Sequence, residues 1–137
     1  MVHRLARLLL AAIFVSSGVD ILRHPQKRVE TATPFLESLA KKVGDSLPEQ
    51  VPTDPDTLVK LDAGVKLVAG LGLALGRFPR LSALILAADL IPTTLAAHSF
   101  WEIDDPTARN GQRTHFMKNL GLMGGLVIAA THSKKKP

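Results

Sequence analysis

The chain has 137 residues, a length that fits one domain, and 46% of them are hydrophobic against 21% charged, with a formal net charge of +5. It has no cysteine, which excludes disulfides, thiolate metal sites and CxxC redox chemistry together. The clearest basic cluster, Lys134–Lys136, directly follows an apolar segment, a placement that favours a membrane flank over a nucleic-acid surface.

The first predicted helix covers residues 4–22, apolar from Leu8 and ended near His24-Pro25 by the proline. Its basic start and apolar middle also fit a signal peptide. No A-x-A type of cleavage site follows, however, and three more apolar segments do, so it is read as a retained span. Residues 23–57 form a polar, proline-punctuated connection. Within it, Thr33-Pro34 looks like an N-cap followed by an N1 proline, and Phe35, Leu36, Leu39, Ala40, Val43 and Leu47 recur at helical spacing. A short amphipathic helix over 34–47 is expected, lying on the membrane surface or over the bundle.

Asp54-Pro55 repeats the cap-plus-proline signal and opens a second span over 57–76. The turn Arg77-Phe78-Pro79-Arg80 leads into a third span over 79–101, where Pro92 cannot donate to the carbonyl of Ala88 and a kink is expected. After the loop 102–111, a fourth span runs over 112–131. The stretches LVAGLGLALG (67–76) and LGLMGGLVIAA (120–130) are apolar all round, unlike the striped helices of soluble proteins. The uncharged runs Leu8–Val19 and Leu120–Thr131 nevertheless fall short of the about 18 residues of a clean transmembrane signal, so a soluble four-helix bundle stands as the rival. The expected fold is an all-α integral membrane four-helix bundle with one added amphipathic helix, in a single domain over 1–137. Cations at Arg4, Arg7, Arg77, Arg80 and the lysine tail predict both termini in the cytoplasm.

In this orientation, polar residues of all four spans collect in the outer half. Asp20 ends the first span; Asp62 and Lys66 lie on the second, spaced i,i+4 on one face. Asp89 falls near the middle of the third, with His98 and Trp101 at its outer end. His115, Lys118 and Asn119 occupy the outer third of the fourth. A carboxylate at mid-span is penalised by roughly 2.5–3.5 kcal/mol on insertion scales, so Asp89 needs a partner, and Lys66 and Lys118 both qualify. The bland reading is a set of buried ion pairs and hydrogen bonds that fixes helix register. The sharper one is a pocket for a polar or redox-active ligand. Gly72-x-x-x-Gly76 and Gly121-x-x-x-Gly125 offer small faces for close helix approach. Five histidines show no metal-site spacing, and no P-loop, dinucleotide fingerprint or nucleophile elbow occurs.

The segments GVKLVAGLGLALGRFPRLSALILAADLIPTTLAAHSFW (64–101) and HFMKNLGLMGGL (115–126) resemble the DoxX family of small bacterial membrane proteins. Arg4, Phe14 and Gly18 of the first span agree more loosely. Shortly after that glycine the family commonly has a lysine, where this chain has Asp20. The resemblance implies a four-helix protein of the plasma membrane. Some members look like subunits of quinone-linked sulfur oxidation, and others join membrane complexes that handle oxidative or thiol stress. It carries over no catalytic residue.

Two functions follow from residues and resemblance together. One is a membrane subunit of a redox complex with a quinone-like ligand in the outer-half pocket. His98 or Asp89 would there exchange protons, Lys66 and Lys118 would orient ligand oxygens, and Trp101 would stack on the ring. The other is a non-catalytic scaffold that recruits soluble partners. Expected partners are the bilayer, soluble redox proteins or further copies of the chain, and not nucleic acid.

Overall fold

Among the described residues, prolines and small polar caps mark out five α-helices, and no strand occurs. A computed structural model describes residues 1–131, so the lysine cluster Lys134–Lys136 lies outside the described residues. In chain order the helices are α1 (Val2–Arg23), α2 (Pro25–Val43), α3 (Pro55–Leu75), α4 (Pro79–Ala97) and α5 (Pro106–Thr131). Short 3-10 turns follow α2 at Gly44–Ser46 and α4 at Phe100–Glu102.

The capping signals work as expected at α3. Asp54 Oδ2 accepts from the Thr57 amide and from the Thr57 hydroxyl, both at 2.9 Å, with Pro55 at the first helical position. At the other end Gly76 adopts φ 70, and the Arg77 amide returns to the Gly72 carbonyl at 3.0 Å, a left-handed closure that glycine permits. The Thr57 amide, helped by its hydroxyl, holds the Asp54 carboxyl below its ordinary value of 3.8. A depressed folded-state value means that the cap's charge stabilises the fold fully above 3.8 and loses that effect as pH falls through the lower folded value. The gap in thermal stability between the native chain and Asp54→Ala should therefore stay constant from pH 7 to about 5 and narrow in more acid solution. A gap that widens toward acid would count against this cap.

Several boundaries differ from the sequence expectation. The segment expected over 34–47 begins nine residues earlier, at Pro25, and Pro34 lies inside a helix of 19 residues. Thr33 is not a cap; its hydroxyl donates to the Val29 carbonyl at 2.6 Å. Packing decides this outcome, because Ala32 is buried with Ile21, Val59 and Ala63, and Val29 and Leu36 close around them. That apolar cluster rewards helix on both sides of Pro34 and offsets the one amide bond lost. α5 likewise begins early, at Pro106 rather than near 112, because Asp105 caps it through the Ala108 amide at 2.8 Å. The third expected span, now α4, ends at Ala97 instead of Trp101 and runs through Pro92.

α1 packs most extensively on α3, α3 on α4, and α4 on α5, while α2 covers α3 and α4 near the α1–α2 corner. Contact between α1 and α5 is slight by comparison. The close approach of α1 to α3 uses Gly18 and Gly70. A methyl group at Gly18 would lie 2.8 Å from Leu67 Cγ and 3.0 Å from the Ala63 carbonyl, and one at Gly70 would lie 2.9 Å from Val15 Cγ2. The two expected Gly-x-x-x-Gly faces contribute less uniformly. Gly72 meets Ser82 and Gly125 meets Leu10, whereas Gly121 has open space around it and Gly76 is the α3 cap.

Small and large apolar side chains share the core, with Phe14, Ile21, Leu73, Leu86 and Leu126 among the buried residues. Alanines fill much of the core, at Ala11, Ala63, Ala69 and Ala83. Outward-facing positions carry Leu9, Val68, Leu75, Leu84, Ile91 and Ile128, each more than half exposed. Val2–Arg23 and Pro79–Glu102 are long and apolar enough to cross a membrane, and only 22% and 28% of their apolar windows are buried. A core helix of a soluble protein would be mostly buried.

Candidate functional site

α3 and α4 carry the buried charges. Lys66, only 2% exposed, projects from the middle of α3. It pairs with Asp62 one turn earlier and with Asp89 Oδ2 of α4 at 2.9 Å. Thr93 joins the group: its hydroxyl lies 3.3 Å from Lys66 Nζ and 2.8 Å from the Asp89 carbonyl, to which it donates. The second of these bonds runs one turn back along α4, to the carbonyl next to that of Ala88, which Pro92 leaves without an amide donor. Asp89 thus selects Lys66 over Lys118, which is exposed on α5. One ammonium faces two carboxylates, so the group is formally short of one positive charge.

Beside this triad lies a cavity of about 290 Å³. α2 supplies Arg28, Phe35 and Leu36 to its wall, α3 supplies Val59, Asp62 and Val65, and α4 supplies Asp89, Pro92 and Thr93. Lys66 stands behind the two carboxylates and does not line it. Asp89 Oδ2 is buried and, although close to Lys66 Nζ, has no hydrogen bond of good geometry.

The remaining polar residues form a separate group on the far side of α4. Adjacent threonines divide the two: Thr93 faces α3, and Thr94 accepts from buried Asn119 of α5 at 2.9 Å. His98 Nδ1 lies 2.6 Å from Gln112 Oε1, and its ring stacks on His115 at 5.2 Å. Trp101 meets Phe100 and Phe116 edge-on at 5.3 and 5.8 Å. Asp20 is exposed on α1 and joins neither group. The polar residues expected to converge in one cluster therefore fall into two, with α4 as the partition.

Sequence reasoning missed Arg28, Thr93, Thr94 and Gln112. The threonines gave one readable signal, since a hydroxyl residue inside an apolar helical run commonly bonds the carbonyl one turn back, as Thr93 does to Asp89. Arg28 gave none, because its role depends on α2 starting at Pro25.

Among the described residues no cluster of three or more histidine, cysteine or acidic side chains could hold a metal ion. No curated protein and no solved structure matches the chain. The DoxX family model matches residues 3–99, from the first turn of α1 through α4. The likeness seen in 115–126 lies beyond that match. Because the matched residues include all the helices that wall the cavity, and most of the chain, the protein belongs to the DoxX family, a membrane-associated family.

Proposed function

We propose that this DoxX protein is an integral subunit of a plasma-membrane redox complex, and that the cavity under α2 binds the ring of a quinol. In this reading α1, α3, α4 and α5 cross the bilayer as one domain, both termini face the cytoplasm, and α2 lies over the outer half. Large apolar side chains exposed on the outer faces, with glycines where α1 meets α3, support the spanning bundle. Lipid already solvates large apolar side chains, so small residues are favoured where helices meet. α5 is about 39 Å long, so its polar first turns can extend past the hydrocarbon while Leu120–Ala130 stays within it.

The observation that carries the ligand is the pairing of an apolar wall with two held carboxylates, Asp62 and Asp89. A cavity of roughly 150 Å³ can hold benzene, so about 290 Å³ takes a substituted ring but no long chain. Arg28 is the one cationic donor on the wall, and the two carboxylates, as acceptors, suit the hydroxyls of the reduced form better than the carbonyls of the oxidised one. On oxidation a bound quinol supplies two electrons, for a redox group on a partner protein, and two protons. Asp89 and Asp62 would receive donors from the ring, Thr93 would orient them, and Lys66 would keep both carboxylates in position from behind. Phe35, Leu36 and Pro92 would exclude water. His98, Trp101, His115 and Lys118 lie outside the cavity and act as the far wall of the bundle.

The scaffold reading draws support from a different feature. α2 docks its apolar face and leaves Glu30, Glu37, Lys41 and Lys42 exposed, a polar surface that a soluble partner could use. A thermal-stability titration of the purified chain with a short-chain ubiquinol separates the two. Saturable stabilisation is expected, about 2.7 kcal/mol at a hundred times Kd, retained in Trp101→Phe and lost in Ala96→Phe, which fills the cavity without touching a charge. A melting curve that ubiquinol leaves unmoved in the native chain would refute the ligand and leave the scaffold.

A further inference from the structure

At the end of the bundle away from α2 lies a second, larger hollow, of about 1140 Å³. It occupies the loosely packed gap between α1 and α5, with the C-terminus of α3 and the N-terminus of α4 completing its wall. Its lining is two-sided in chemistry. Leu8, Leu10, Leu75, Leu81 and Ile128 form an apolar slot, and every charged residue on the wall belongs to a basic type: His3, Arg4, Arg7 and Arg80.

Arg7 is the distinctive member. Its Nε is buried and has no hydrogen-bond partner among the described residues. The guanidinium is held over Gly76, where a Cβ would come within 2.9 Å of Nη2 and 3.2 Å of Cζ. Gly76 thus serves two ends at once: its φ of 70 closes α3, and its missing side chain gives the arginine room. A cation set against an apolar slot is costly unless an anion accompanies it. Guanidinium groups suit phosphate oxygens in particular, because two N–H donors can face two oxygens.

We propose that this hollow is a binding site for an anionic phospholipid, the phosphate held by Arg7 and Arg4 and an acyl chain lying in the slot between α1 and α5. The slot favours a lipid over free phosphate, since an inorganic ion leaves the apolar half of the wall unused. Basic pockets between spanning helices near the cytoplasmic surface are suited to anionic headgroups. The inference rests on the four-span membrane reading but not on the quinol cavity at the other end.

The test is the thermal stability of the full chain in detergent, titrated with phosphatidylglycerol, with phosphatidylcholine, and with inorganic phosphate or glycerol phosphate. Phosphatidylglycerol should raise the melting temperature in a saturable, salt-sensitive way, and phosphatidylcholine should not. Arg7→Gln and, separately, the exposed Arg4→Gln should each weaken the effect about fivefold. Arg113→Gln, at the other end of α5, should leave it intact. Arg4 is exposed, so the R4Q variant keeps the test decisive if R7Q does not fold. Lipid extracted from protein purified out of native membranes should be enriched in the anionic class. Equal stabilisation by phosphatidylcholine, an unchanged response in R4Q, or the same shift from inorganic phosphate alone would each overturn the lipid site. None of these outcomes bears on ubiquinol binding under α2.

Discussion

Lys66→Met should be the most damaging single substitution in the bundle, lowering stability by about 3 kcal/mol or more. Lys66 is 2% exposed, and its two acidic partners are held on separate helices. Removing the ammonium leaves two carboxylates facing one another in a largely apolar surround, with the Thr93 hydroxyl as their nearest remaining donor. Breaking a buried pair from one side typically costs about 3–5 kcal/mol. The lower end applies here, because the Asp62 side chain is 22% exposed and recovers some solvation. The triple variant K66M/D62N/D89N has no charge to strand and should regain most of the loss. Melting curves of the three proteins measure this directly. A Lys66→Met chain within about 1 kcal/mol of the native one would mean that the triad is solvated and not part of the core. The triple variant also separates two roles of the same residues. If it folds but no longer responds to ubiquinol, the carboxylates hold a ligand as well as the helices.

The part of this site that was legible in the sequence is the part decided by one helix. Asp62 and Lys66 are four residues apart, and an i,i+4 pair meets on any helix that forms. Which cation Asp89 takes depends on which helix α4 touches on that side, and no spacing encodes it. The split between Thr93 and Thr94 has the same cause. Adjacent residues on a helix point about 100° apart, so one faces α3 and the other α5 once α4 is known to lie between them. The helix boundaries teach a similar lesson. Asp54-Pro55 could be read because apolar spacing begins at once behind it. The equivalent Asp105-Pro106 gives no such signal, because Thr107–Thr114 shows no apolar rhythm. Thr33-Pro34 looked like a third instance, since a proline at N1 and one within a helix share the same local sequence. Only the docking of Ala32 against Ile21, Val59 and Ala63 distinguishes them. Asp20, a departure from the resemblance, is exposed, where a carboxylate needs no partner.

Gly18→Val should be the second most damaging change, because it forces apart the pair of helices with the most extensive contact. Even a methyl group at this position would lie 3.0 Å from the Ala63 carbonyl oxygen. Leu67 could rotate away, but the backbone of α3 cannot, so α1 must move. Overpacking of this kind costs about 1–3 kcal/mol, and the upper end is expected because valine adds two further methyls to a contact already closed. Gly64→Ala provides the opposing control on α3. Nothing lies within 4 Å of a Cβ built there, so the change should be neutral or stabilise by up to about 1 kcal/mol through helix propensity alone. The two glycines would then differ in sign, which composition-based reasoning cannot produce. The displacement should also reach the ligand site. Ile21 on α1 packs with Val59 and Ala63 on α3, and Val59 lines the cavity. Gly18→Val should therefore weaken ubiquinol binding from a position that no ligand in the cavity could touch, while Gly64→Ala leaves it unchanged. Loss of stability with full ubiquinol affinity would show instead that the α2 cavity is held by α3 and α4 alone.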